Sequence, residues 1–366
     1  MRRRPRPGAS LFLALATIFA FGAEPGAATG SPPVAASAGR DHSASAIPDP
    51  SHAVVTERLG GTDRYATSVA ISRRTFPEGG VPAVYLASGV GFADALAAGP
   101  AAAKEGGGLL LTRPDRLPAD VAAELVRLAP AKVVVAGGPA AVSDAVVIQA
   151  RAVLGPTVPV ERAGGADRYD TAAALVAGAF GRGGSTTTPL LFLASGAGFA
   201  DALAAGSVAA ALGAPVLLTR PDRLPPQTAE AIARLRPERI VVVGGPGAVS
   251  DGVVATLVRL GFNVERVGGS DRFGTAAAVA ARFLPDAPTV LAASGLGFAD
   301  ALAAVPLAGR LGAPVLLVWP DSVAWPESIP RATRDEIRRR RPASIVVLGG
   351  PAAVGELVRY ELVGWA

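Results

Sequence analysis

Aspartate–arginine pairs are the first residues in this chain whose type and spacing could do chemistry. Asp63-Arg64, Asp167-Arg168 and Asp271-Arg272 recur at a constant interval of 104 residues, each close behind a Gly-Gly dipeptide. An aspartate in that place can cap a following helix. A guanidinium can bind phosphate or carboxylate through two parallel hydrogen bonds. It can equally fold back onto a protein carboxylate, so the pair admits both a ligand-binding and a structural reading. A second set, Arg113-Pro-Asp-Arg116 and Arg220-Pro-Asp-Arg223, appears twice. Its third counterpart is Trp319-Pro-Asp-Ser322, which loses both arginines and gains an indole. The three sites are therefore not expected to be equivalent.

Other chemistries are narrowed by what the chain lacks. It contains no cysteine, and its two histidines, His42 and His52, lie in or beside a Ser/Pro/Ala-rich leader. Disulfides, thiolate metal sites, thiol nucleophiles and histidine-dependent triads are excluded, and a zinc amidase would lack its ligands. Asp94, Asp201 and Asp300 close three copies of a segment that begins Ser88-Gly-Val-Gly91, Ser195-Gly-Ala-Gly198 and Ser294-Gly-Leu-Gly297. A strand, Gly-x-Gly and a helix open a dinucleotide fingerprint. Here an aspartate stands where Gly or Ala should allow close packing, and its charge would repel a pyrophosphate. The structural reading is an acid supporting a helix start. No carboxylate pair is confined to one copy, as an asymmetric glycosidase site would require. The expectation is no catalytic residue, no metal and no cofactor.

The elements that must position these residues are themselves repeated. Gly-Phe-Ala-Asp-Ala-Leu-Ala-Ala occurs at 91–98, 198–205 and 297–304, and a Gly-Gly-Pro follows at 137, 244 and 349. In the first copy, short apolar runs at 54–58, 83–87, 109–112 and 132–136 predict strands, with helices over 63–75, 92–104, 118–128 and 142–154. That alternation argues for parallel sheets covered on both faces. The expected fold is α/β, three tandem Rossmann-like or flavodoxin-like domains. The repeated Gly, Asp and Pro motifs each follow a predicted strand, so they gather at the carboxyl edge, where such sheets bind ligands. The same loops could instead pack one domain against the next.

The chain divides into a signal peptide (1–30), a leader without a core (31–52) and repeats over 53–157, 158–262 and 263–366. Arg2, Arg3, Arg4 and Arg6 precede an apolar run from Leu11, followed by small residues, the order of an export signal. Without residues 1–30, 31 basic residues (35 less four) face 29 acidic ones (30 less Glu24), a charge of +2. Bulk charge gives no argument for nucleic acid, and no basic stripe interleaved with aromatics is present.

In this order and three times over, Arg-x-Gly-Gly-x-Asp-Arg-(Tyr/Phe), Gly-Phe-Ala-Asp-Ala-Leu and Gly-Gly-Pro resemble the bacterial cell-wall-binding repeat, type 2, over about residues 54–366. The resemblance implies an exported Gram-positive protein whose three domains pack as a pseudo-threefold trimer. It also implies non-covalent, peptidoglycan-associated anchoring to an anionic secondary polymer, teichoic-acid-like or polysaccharide, at the cell surface. A Pro-Ile-Leu-Leu motif is associated with attachment in that family. Pro215-Val-Leu-Leu218 and Pro314-Val-Leu-Leu317 are similar, whereas the first copy has Gly108-Leu-Leu-Leu111. The polymer-binding candidates are therefore Arg64, Arg168, Arg272, Arg113, Arg116, Arg220, Arg223, Pro215, Leu217, Leu218, Pro314, Leu316 and Leu317. Asp63, Asp167, Asp271, Asp94, Asp201 and Asp300 are assigned to the structural motif. The reading that follows is a non-catalytic wall anchor with no nucleic-acid partner and no membrane span after signal cleavage. The alternatives are a wall hydrolase of the N-acetylmuramoyl-L-alanine amidase type, or its modifier, and a nucleotide-binding protein suggested by the layout alone.

Overall fold

Val55–Leu59 forms strand β1, and Asp63 then starts helix α1 (Arg64–Thr75) by accepting hydrogen bonds from the Tyr65 and Ala66 amides, each 2.9 Å. The computed structural model describes residues 54–181, 188–320 and 329–366. The chain continues through β2 (Val84–Ser88), α2 (Ala98–Lys104), β3 (Gly108–Thr112), α3 (Ala119–Leu128), β4 (Val133–Ala136) and α4 (Asp144–Leu154). The order returns as β5 (Val160–Ala163), α5 (Arg168–Phe180), β6 (Thr188–Ser195), α6 (Ala200–Leu212), β7 (Val216–Thr219), α7 (Pro226–Leu235), β8 (Pro237–Val243) and α8 (Asp251–Arg259). The third round comprises β9 (Val264–Val267), α9 (Arg272–Phe283), β10 (Thr289–Ser294), α10 (Ala299–Ala303), α11 (Val305–Leu311), β11 (Val315–Val318), α12 (Arg331–Arg340), β12 (Ser344–Leu348) and α13 (Glu356–Trp365). The signal and leader segments lie outside the described residues. Among the described residues, no helix is long and apolar enough to cross a membrane.

The strands form three parallel four-stranded sheets, ordered β3-β2-β4-β5, β7-β6-β8-β9 and β11-β10-β12-β1. Their central strands are buried over at least their last four residues, which is why those stretches read as continuous apolar runs rather than alternating ones. Sheet and sequence repeat do not coincide. The strand that opens the second repeat, β5, pairs with β4 of the first (Val133 beside Val160), and β9 pairs with β8. The fourth place in the last sheet is filled by β1 of the first repeat. There β1 lies beside β12 in register from Val55–Ser344 to Leu59–Leu348. The repeated Arg-x-Gly-Gly motif is therefore the crossing point from one sheet to the next.

Glycine is required at that crossing. A Cβ on Gly164 would sit 2.6 Å from the Gly137 carbonyl carbon, and one on Gly60 would sit 2.7 Å from that of Gly349. Two backbones meet there with no room for a side chain.

The three sheets share one hydrophobic cluster that draws Leu86, Phe192 and Leu291 into continuous contact, while the outer faces of the second and third sheets have cores of their own. Helices α2, α6 and α11 pack together on small residues. Gly99 lies against Val305, and Gly309 lies against Ala210.

Prolines explain the one place where helix bounds differ from expectation. A helix was expected over 92–104, but α2 begins only at Ala98, after turns. Pro100 has no N–H to donate, and its ring crowds the carbonyl four residues back. Pro306 likewise separates α10 from α11, whereas the second copy, with Gly206-Ser207 at that place, runs unbroken as α6.

Candidate functional site

At the carboxyl edge each aspartate caps the helix that the arginine beside it opens. Asp167 accepts from the Tyr169 and Asp170 amides (2.9 and 3.0 Å), and Asp271 accepts from the Gly274 amide (2.7 Å). The arginines do not fold back onto these carboxylates. Arg272 Nη1 donates to the Gly295 carbonyl at 2.7 Å, and Arg64 and Arg168 donate likewise to Gly89 and Gly196. Each guanidinium also covers a phenylalanine of the preceding repeat in a closed cycle. Arg168 lies over Phe92 (5.7 Å), Arg272 over Phe199 (5.5 Å), and Arg64 over Phe298 (5.7 Å). The three rings meet one another with centroids 5.7, 5.7 and 6.0 Å apart.

The second arginine set stacks within its own repeat. Arg113 lies 4.9 Å from the Tyr65 ring centroid and Arg220 lies 5.0 Å from that of Tyr169. Arg220 also stands 3.8 Å from Asp167. In the third repeat Trp319 packs on Phe273 with centroids 4.3 Å apart. Two departures of that repeat, Trp for Arg and Phe for Tyr, are thus one contact. Arg116 and Arg223 are exposed and pair with the adjacent Asp115 and Asp222 at 3.0 and 2.9 Å. Exposed pairs of this kind contribute little to stability.

Where one repeat meets the next, these motifs line open clefts. One, of about 500 Å³, joins Phe199, Asp201 and Gly245 of the second repeat to Asp271, Arg272 and Thr275 of the third. Another, of about 520 Å³, joins Phe298, Asp300 and Gly350 to Asp63, Arg64 and Thr67. Both contain one arginine, a capping aspartate and a second, more buried aspartate. Burial pushes the Asp201 carboxyl above its ordinary range, against the Thr275 hydrogen bond and the positive charge of Arg272. Asp300 is raised for the same reason, opposed by the charge of Arg64 and by Thr67. Thr275 and Thr67 also accept from the Gly269 and Gly61 amides (3.2 and 3.1 Å). Their counterpart Thr171 is buried, and its hydroxyl has no hydrogen-bond partner. The boundary between the first and second repeats therefore differs from the other two.

Six sequence candidates have no place in such a cleft. Pro215, Leu217 and Leu218, at the start of β7 and within it, and Pro314, Leu316 and Leu317, before and within β11, are all buried. Both strands run between the helical layers, so these side chains present no surface to a polymer, and their apolar character is that of core residues. The departure at Gly108 belongs to the same packing, since the Phe76 ring occupies the space beside it. Arg64 and Arg272 do line clefts. Arg113, Arg116, Arg220 and Arg223 are not among the lining residues of either cleft.

Arg58, Arg162 and Arg266 open the three Arg-x-Gly-Gly motifs, and their role lies outside the binding chemistry expected from the sequence. Each latches the Gly-Gly-Pro loop that follows the strand paired with its own, in the same sheet but in the preceding repeat of the cycle. Arg162 Nη1 donates to the Gly137 and Val142 carbonyls, both 2.8 Å, and Arg266 and Arg58 donate to those of Gly244 (2.9 Å) and Gly349 (2.8 Å). Asp144, Asp251 and Glu356 hold the other side of the three guanidinia at 2.8, 3.0 and 3.0 Å. Their recurrence ahead of each Gly-Gly-x-Asp-Arg motif is the signal the sequence offers. Among the described residues, no cluster of three or more His, Cys, Asp and Glu side chains could hold a metal ion.

The family described as cell wall binding domain 2 (CWB2) matches residues 58–147, 162–254 and 266–359. N-acetylmuramoyl-L-alanine amidase LytC of Bacillus subtilis (strain 168) is 29% identical over 306 residues, which is 84% of this chain and 58% of that protein. The amidase enhancer of the same organism is 28% identical over 282 residues, 77% of this chain and 37% of that protein. Among solved structures, Cwp6 from Clostridium difficile superposes with a TM-score of 0.76 at 25% identity, covering 85% of this chain and 48% of that one. Cwp8 from Clostridium difficile gives 0.73 at 26%, covering 85% and 51%. The chain thus spans roughly a third to three-fifths of the length of these proteins.

Proposed function

Because the chain belongs to the cell wall binding domain 2 family, we propose that it is a non-catalytic, exported wall-binding protein. In this reading it holds an anionic secondary polymer in the clefts between its repeats. The observation that carries the reading is the recurrence of one cleft, with an arginine, a phenylalanine and two aspartates in matching places, at two repeat boundaries. An enzyme needs one asymmetric site, whereas a repeated polymer can be gripped at several equivalent ones. Several weak contacts on one body raise apparent affinity by about 10²–10⁴ when the spacing allows simultaneous engagement. The arginine N–H groups not used on the glycine carbonyls supply donors for polymer oxygens, and the half-buried phenylalanine supplies an apolar wall. The amidase and the amidase enhancer share these repeats, and the activities in their names are those of the longer proteins.

The test is co-sedimentation of the chain with purified Gram-positive cell walls before and after their secondary polymers are stripped. We expect retention on intact walls, loss on stripped walls, and weaker retention as salt rises, since exposed charge contacts are screened within about 10 Å at 0.1 M. Equal retention on stripped walls would assign binding to peptidoglycan itself. Clearing of purified peptidoglycan by the chain would establish a hydrolase instead.

A further inference from the structure

Helix α12 breaks the likeness among the repeats. With its C-terminal cap it carries six arginines, Arg331, Arg334, Arg338, Arg339, Arg340 and Arg341, against two acids, Asp335 and Glu336. The corresponding helix of the first repeat, α3, has Arg127 against Asp120 and Glu124, and α7 with its cap has Arg234 and Arg236 against Glu230. Repeat symmetry therefore does not call for this charge.

The helix's own architecture uses only part of it. Glu336 takes Arg339 and Arg340 at 2.8 and 2.6 Å, the latter with its side chain fully buried. Arg339 also feels Asp286. Asp335 stands 3.5 Å from Arg331 and 3.9 Å from Arg334. Arg338 and Arg341 are exposed, and among the described residues neither has a carboxylate within ion-pairing distance. Cations at a helix C-terminus offset its dipole, but that field amounts to roughly half an elementary charge. It accounts for one arginine, not for a surplus of this size.

Arg338 is also held in place. Its guanidinium carbon lies 3.9 Å from the Trp365 ring centroid, with Arg334 at 5.3 Å over the same indole. An arginine stacked on an aromatic face keeps its N–H edges pointing outward and has already lost much of its rotamer freedom, so a ligand need not order it.

We propose that the C-terminal end of α12, with Arg341 and the Arg338 that stacks on Trp365, is a second docking surface that takes the closely spaced phosphates of a linear polyanion. It shares no residue with the two clefts, so it stands or falls separately from the cleft reading. The partner is a flexible phosphate polymer, because the donors follow one another along a single exposed helix end.

The experiment measures binding of the purified chain to immobilised long-chain sodium polyphosphate across a salt series. Arg338→Gln/Arg341→Gln should weaken binding about tenfold at low salt and reduce the slope of log affinity against log salt by about 1.4, two contacts at about 0.7 each. Arg234→Gln/Arg259→Gln removes the same charge from other exposed helices and should leave the slope unchanged. Equal losses in the two double variants would mean that bulk charge binds, and unchanged binding in the α12 variant would mean that the surface does not; either overturns the proposal. Should the α12 double variant melt early, Arg341→Gln alone keeps the Trp365 stack and should lower the slope by about 0.7; an unchanged slope there is equally fatal. Phosphatidylglycerol vesicles form the last arm: binding to vesicles but not to polyphosphate would assign the surface to membrane headgroups and overturn the polymer assignment.

Discussion

Arg168 of the second repeat covers the Phe92 ring of the first at 5.7 Å while its Nη1 donates to the Gly196 carbonyl of its own repeat. One side chain therefore ties a loop of its own repeat to the neighbouring repeat, and Arg272 and Arg64 repeat the arrangement. A guanidinium occupied in this way is part of the fold before it is part of any binding site.

Arg168→Ala/Arg272→Ala should consequently lower both stability and wall retention. Each arginine loses a hydrogen bond and a partly exposed cation–π contact, together about 1–2 kcal/mol. Thermal unfolding monitored by circular dichroism reads this directly. A double variant with an unchanged midpoint but lost retention would mean that the arginines act on ligand alone.

Cutting the chain at repeat boundaries should fail to give a folded unit. A segment of residues 158–262 carries β5 without the sheet it belongs to and lacks β9, leaving the β8 edge open. We expect poor dispersion in its amide NMR spectrum. In the full chain, deleting residues 1–61 removes β1, and amide exchange should then rise in β12 while β2 and β4 keep their protection. Protection of β12 equal to that in the intact chain would show that the N-terminal strand contributes nothing to closure.

Stability should respond to pH through three carboxyls, two of them opposed to the third. The raised Asp201 and Asp300 carboxyls favour the folded state when protonated. Their contribution is complete below the ordinary carboxylate pKa and is lost as pH rises through the raised value. Asp201→Asn/Asp300→Asn should therefore melt higher than the parent at neutral pH and lose that advantage in acid. Glu124 runs the other way. Burial pushes its pKa up, but hydrogen bonds from Arg127, Ser72 and Arg73 and the Arg127 charge outweigh burial and hold it low. Its contribution is complete above the ordinary value and is lost as pH falls through the lowered one. Glu124→Gln should cost about 1–3 kcal/mol at neutral pH and less in acid. Melting curves across the acid range separate the two effects. An Asn double variant that melts lower at every pH would mean that the carboxylates matter for their hydrogen bonds rather than their charge.

Local pattern alone determined a good deal of this protein. The threefold recurrence of Gly-Phe-Ala-Asp and of Gly-Gly-x-Asp-Arg, with apolar runs between them, specified parallel α/β sheets and placed the motif loops at their carboxyl edge. Side-chain periodicity and strand length are properties of a few consecutive residues. What sequence could not supply is which sheet a strand joins. The pairing of β1 with β12 brings together the first and third repeats, and nothing in Val55–Leu59 names its neighbour. Pro215-Val-Leu-Leu218 was legible as a motif but not as core, because burial depends on the helices that cover the strand from both sides. The cyclic contacts of Arg168, Arg272 and Arg64 with Phe92, Phe199 and Phe298 likewise exist only between repeats. Recurrence marks a residue as constrained; only tertiary packing decides whether backbone, core or ligand imposes the constraint.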